Sequence, residues 1–150
     1  MTIKEAKEII ISKLIEEVNK LPEEERVPVE APRSITGYKL NHPKGAFLVV
    51  YKGGSFAKTK NGAGVIMQDR DIEIGVVAVV RKTEYNKQPE EYIEFVHDAL
   101  AGFEVEYSGR AENKIFSVSD EWIDEEEGIW RYAASFAVPA VFIEKSFRNV

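Results

Sequence analysis

The residues most able to do chemistry in this chain are scattered and lack partners. Gly53-Gly54-Ser55 places a hydroxyl after two glycines, but the Gly-x-Ser-x-Gly elbow that exposes a serine nucleophile is absent. His42 and His97 stand in no companion motif that would make either a base beside a nucleophile. His42 precedes a proline in a turn, and His97 reads as a boundary or partly exposed position of a helix. The glycines at 53, 54, 62 and 64 suggest a phosphate cradle, but Gly-x-x-x-x-Gly-Lys-Ser/Thr is missing. A strand, not a helix N-terminus, follows them, so no backbone donors converge on an anion. Asp120, Glu121, Asp124, Glu125, Glu126 and Glu127 could attract a divalent cation, yet they lack the alternating oxygen ligands of an EF-hand and read as a solvated hairpin tip. Gln68-Asp69-Arg70-Asp71 reads as alternating charge on a solvated strand face. No catalytic residue, metal ligand or cofactor is expected.

Bulk properties narrow the class further. With 150 residues the chain suits one domain over 1–150, and the absence of cysteine excludes disulfides and thiolate zinc sites. No basic region followed by an apolar run opens the sequence, and the longest apolar stretch, Val76 to Val80, is far short of the roughly 20 residues of a membrane span. No membrane partner is expected. The net charge of −6 argues against broad or specific nucleic-acid binding, which needs clustered Lys and Arg.

The elements that would carry these residues follow from periodicity. Thr2-Ile3-Lys4-Glu5 has the form of a capping box, and Ile3, Ala6, Ile10, Leu14, Val18 and Leu21 make the inner stripe of a helix that Pro22 ends. The proline-rich run Val27 to Pro32 reads as an extended linker. Ala46 to Tyr51 is a strand buried on both faces, and Lys52 to Gly64 reads as a mobile surface loop. A long strand covers Val65 to Arg81. Pro89 starts a second helix that Gly102 closes. Ile115 to Ile123 and Ile129 to Ile143 are strands joined by Asp124 to Gly128, giving an acidic hairpin over about 120–128. The resulting class is α+β: a single, mostly antiparallel sheet with two helices packed on it.

Several phrases together resemble the tail-terminator, or tail-completion, proteins of Mu-like bacteriophages and prophages. They are the opening helix with Ile9 to Leu14, the run His42 to Tyr51, Gly53-Gly54-Ser55, Gln68-Asp69-Arg70, Ala99 to Phe103, and Gly128 to Tyr132 with Phe136. The resemblance implies a protein without catalytic residues that acts in the host cytoplasm during assembly and then in the virion tail. It implies a ring, commonly of six copies, on the head-proximal end of the tail tube, with the tube protein and the head–tail connector as partners. A head–tail connector or neck protein is the alternative within the same class. A small hydrolase or ligand-binding enzyme, or a nucleic-acid-binding modulator, is the alternative outside it.

A ring needs two different patches that meet between neighbours. Lys52, Lys58 and Lys60 in one segment and Asp124, Glu125, Glu126 and Glu127 in another form a charge-complementary pair, with Phe56 as an apolar anchor that either packs on a neighbour or covers its own sheet. Flexible loops would leave the free protein a monomer or weak oligomer in dilute solution, because ordering on contact costs entropy.

Overall fold

In the computed structural model, which describes residues 1–60, 64–82 and 87–148, the Thr2 hydroxyl accepts the Glu5 amide at 3.1 Å and opens helix α1 (Ile3–Val18). The helix stops one turn earlier than the apolar stripe suggests. Arg26 folds back on its end, with Nε donating to the Leu21 carbonyl at 2.9 Å and Nη2 to the Asn19 carbonyl at 3.1 Å. These bonds satisfy two carbonyls beyond the last helical turn. A second helix, α2 (Pro89–Leu100), starts on Pro89 as expected. The Gln88 amide is taken up by Glu91 Oε2 at 2.8 Å, and Gly102, at φ 87°, supplies the left-handed residue just past the helix end.

The strands are β1 (Val29–Glu30), β2 (Gly45–Phe56), β3 (Met67–Arg81), β4 (Phe116–Glu126) and β5 (Ile129–Ile143). They form one five-stranded sheet in the order β1-β2-β3-β5-β4. Only the β1–β2 pair is parallel. The α+β class is therefore observed, with one added strand: the proline-rich linker contributes a two-residue edge.

Both helices pack on one face. Ala6, Ile10, Leu14 and Val18 of α1 and Ile93, Val96 and Leu100 of α2 bury against the face formed by Phe47, Val49, Ile72, Ile74, Val76, Phe136 and Val138. Phe47 stacks on Phe95 with ring centroids 6.0 Å apart and meets Tyr92 edge-on at 6.1 Å. The opposite face is covered in part by Ile35, Tyr38 and Leu40, which lie over Ala46, Leu48, Val77, Val79 and Ala133. Arg81 anchors that cover through the carbonyls of Leu40 at 2.9 Å and His42 at 3.2 Å, and the Tyr38 hydroxyl donates to the Glu30 carboxylate on β1.

Two expectations are corrected. The glycine-rich segment is not a loop from Lys52 onward, since β2 runs through to Phe56. The Ala57 amide then bonds to Asp69 O at 2.9 Å and the Lys60 amide to Met67 O at 2.8 Å, so the pairing with β3 continues to Lys60. The glycines serve the strand. Gly53, at φ 149°, follows a bulge at Lys52, and a Cβ on Gly54 would come within 2.8 Å of the Asp71 carbonyl oxygen. Residues 61–63 of the expected loop lie outside the described residues. The acidic hairpin is likewise mostly strand: β4 continues through Glu126, and the turn is only Glu127-Gly128, at φ 52° and 76°. Positive φ at both central residues is the two-residue hairpin geometry that matches strand twist.

Candidate functional site

β4 and β2 place the charged residues singled out above on opposite flanks of the sheet. Lys52 is exposed on β2, and its stem lies over the bare Gly75 of β3, where a Cβ would come within 2.8 Å of Lys52 Cδ. Its Nζ reaches past β3 to donate to Ser135 Oγ on β5 at 2.9 Å. Lys60 pairs with Asp69 Oδ1 at 2.5 Å, whereas Lys58 makes no ion pair among the described residues. Phe56 meets Phe142 edge-on at 5.7 Å and lies under the Arg70 guanidinium, 4.9 Å from the ring centre. It still leaves 51% of its surface open.

On the other flank, Arg131 grips Asp124 with two bonds, Nε to Oδ1 at 2.7 Å and Nη2 to Oδ2 at 2.6 Å. These bonds, and the positive charge behind them, hold the Asp124 carboxyl below the usual carboxylate range and raise the Arg131 guanidinium further. Glu126 stands 3.6 Å from the same Arg131. Glu125 and Glu127 are exposed and make no ion pair among the described residues. The structure does not bring the two groups together within one chain. Cross-strand rows run Ala46, Val79, Arg131, Asp124 at one end and Gly53, Glu73, Ala137, Phe116 toward the other. The lysines and the hairpin acids thus sit at opposite ends of the strands as well as on opposite flanks.

Both flanks are open. β1 covers β2 only at Phe47 and Leu48, leaving the edge from Val49 to Phe56 without a partner strand among the described residues. β4 is a terminal strand along its whole length, and Phe116, Val118, Trp122 and Ile123 are exposed on it, Trp122 by 54%. Edge strands in stable monomers are commonly short or guarded by charged side chains, Pro or bulges. β4 has eleven residues without Lys or Pro, and its guards are acids and two bulges. Bulges at Val118 and Ile123 leave Ser119 to Trp122 as its regular stretch.

One constellation escaped the sequence reading. His97 on α2 bonds through Nδ1 to Ser117 Oγ at 2.7 Å and through Nε2 to Asp120 Oδ2 at 2.9 Å. A carboxylate only accepts, so Nε2 carries a proton toward Asp120, and the Ser117 hydroxyl, which can donate or accept, partners Nδ1. The trio has the residue types of a hydrolytic triad. Ser117 and Asp120 are exposed side chains of the edge strand, however, without the water-excluding wall that nucleophilic catalysis uses. The bonds tie α2 to β4 and fix the edge strand against the helix layer. Only the register Ser117-x-x-Asp120 could have signalled this, and only once both residues were known to share a strand.

The Gln68 to Asp71 stretch is a clamp. Arg110, from the segment after α2, donates to the Arg70 carbonyl at 3.2 Å and to the Asp71 carboxylate, with Asp69 Oδ2 3.9 Å away. Gln68 donates to the Ala57 carbonyl at 2.8 Å. A cleft of about 710 Å³ lies between α1 and the turn after α2; Lys13 there pairs with Glu17 at 2.9 Å and sits 4.9 Å over Phe103. Among the described residues no three acidic or histidine side chains are grouped to hold a metal ion.

No curated protein matches the chain significantly. The sequence profile described as Gp37 protein matches residues 17–149, from the last turn of α1 past the end of β5. The chain, a single sheet carrying two helices, belongs to the Gp37 family of phage proteins.

Proposed function

We propose that this chain is a structural protein of the phage tail, a terminator that closes into a ring on the head-proximal end of the tail tube and presents the surface for head joining. The observation that carries this reading is the pair of unlike open edges. One flank carries Lys52 and Lys58, the other Glu125 and Glu127, and exposed apolar side chains stand on both. Unlike edges on one subunit make a heterologous contact, which closes into a ring when the rotation between copies divides the circle. Membership in a phage protein family supplies the setting. In dilute solution the protein is a monomer or weak oligomer that assembles on the tube.

The deciding experiment is electron microscopy of the purified protein mixed with tail tubes. Rings seated on one end of each tube, with tubes that no longer lengthen, are expected. Protein bound to the head connector with bare tube ends would transfer the role to a neck protein, and protein that binds neither would end the tail assignment.

A further inference from the structure

Resting on the ring-forming reading above, we infer that copies join by strand pairing: β4 of one copy adds antiparallel to the outer edge of β2, from Val49 to Phe56, on the next copy. The occupant of each open edge is thus a second copy of this chain.

Charge is the first reason. Residues 45–60 contain Lys52, Lys58 and Lys60 and no acid, whereas residues 116–127 contain six acids and no base. Pairing β4 with a second β4 would set those acids against one another, so the complementary edge is the favoured one.

Direction is the second. β2 and β5 run one way along the sheet, and β3 and β4 run the other. A ring rotation that preserves strand direction therefore sets β4 antiparallel to the next copy's β2.

Register is the third, and β1 fixes it. Leu48, Val77, Ala133 and Glu121 share one cross-strand row, as do Phe47, Ala78, Tyr132 and Trp122. A neighbour's β4 docked at that level would run into β1, which already pairs with Phe47 and Leu48. Sliding β4 by about five residues, or ~17 Å, sets Glu126 against Val49 and clears the obstruction. The repeating unit at the open edge is β2-β3-β5-β4, roughly 19 Å wide at about 4.8 Å per strand. A 17 Å stagger over 19 Å corresponds to a strand tilt of about 42°, inside the 35–45° range of closed sheets. The same slide places Val50 opposite Glu125, Ser55 opposite Asp120 and Phe56 opposite Ser119, beside Val118. The bulged Lys52 then falls level with the bulged Ile123, its amine turned inward onto Ser135.

The chain has no cysteine, so single cysteines report contacts cleanly. Val50→Cys and Glu125→Cys, of different tagged lengths, are oxidised separately and mixed, at a concentration where the protein assembles. The mixture is expected to give at least tenfold more disulfide-linked dimer than either variant alone, and Ser12→Cys on α1 mixed with Glu125→Cys is expected to give none. The double variant V50C/E125C should give a ladder ending at the ring. Lys58→Glu should raise the dissociation constant several-fold at low salt and less at high salt. Self-linking of Glu125→Cys, or rings on tube ends without the mixed disulfide, would overturn the pairing; the latter would leave the tail assignment intact. Linked chains that ignore tube ends would uphold the pairing and sink the terminator reading instead.

Discussion

Under the proposed edge pairing Phe56 serves both fold and assembly, and replacing it with alanine should weaken both by amounts that can be set apart. Its buried half contributes an edge-on contact with Phe142 and a cation–π contact with Arg70. Such pairs are worth about 0.5–1.5 kcal/mol, and exposed cation–π contacts about 0.5–1 kcal/mol. The two share one ring and do not add fully, so the monomer should lose about 1–2 kcal/mol. For a chain of this size that is roughly 2–8 °C in melting temperature. The open half, 51% of the residue, amounts to about 100 Å² of a side chain of roughly 200 Å². Covered by a neighbour's Val118 and its surroundings, it would contribute about 2.5 kcal/mol at about 25 cal/mol per Å², or roughly a sixtyfold rise in the dissociation constant of each contact on truncation. Urea unfolding at a concentration where the protein is monomeric measures the first quantity, and sedimentation velocity across a concentration series measures the second. Val118→Ala should weaken assembly without adding to the effect of Phe56→Ala, because the two would remove the same contact. A Phe56→Ala protein that melts lower but assembles as before would show that the ring serves its own sheet alone, and would refute the interface placement.

Tyr38 gives a pH-dependent prediction. Burial first, and then its bond to Glu30, push its hydroxyl up to about 12, so between pH 10 and 12 the unfolded chain releases this proton while the folded chain keeps it. Stability should fall with rising pH across that window, and Tyr38→Phe should flatten the slope, as read by thermal melts alongside tyrosinate absorbance; equal slopes would exclude Tyr38 as the cause. At the hairpin, Glu127 holds φ 52° beside Gly128. Glu127→Asn should raise stability by about 1 kcal/mol, because asparagine tolerates that conformation better and an Asn-Gly pair suits a two-residue turn. A melting temperature unchanged or lowered would show that the glutamate is not strained there.

The fold was legible where burial dictates pattern. The stripe Ala6, Ile10, Leu14, Val18 and the alternation Ile72, Ile74, Val76 both face the helix–sheet core as read. Pro89 and Gly102 bound α2 as punctuation residues should. The reading failed where glycine and acid density resemble turns. Gly53 and Gly54 belong to a strand because a bulge and a close carbonyl require them, and Asp120 to Glu126 stay extended because β5 supplies the pairing that local propensity lacks. Of the candidate interface, residue identity and charge sign were visible in the sequence, but placement was not. That the lysines and acids lie on opposite flanks depends on the strand order, with β5 inserted between β3 and β4, and periodicity carries no information on which strand neighbours which. The bridge from His97 to Ser117 and Asp120 was hidden for the same reason.

Prolines are usually read as residues that a sheet excludes, but here two of them set how much of it stays available. Pro28 and Pro32 bracket Val29 and Glu30, and Pro32 has no amide proton with which to carry the parallel ladder further along β2. The shortest strand in the molecule is thereby kept from growing over its flank. Under the proposed pairing, a substitution of Pro32 that let this ladder lengthen would seal the surface from inside, producing a well-folded protein unable to recognise its own kind.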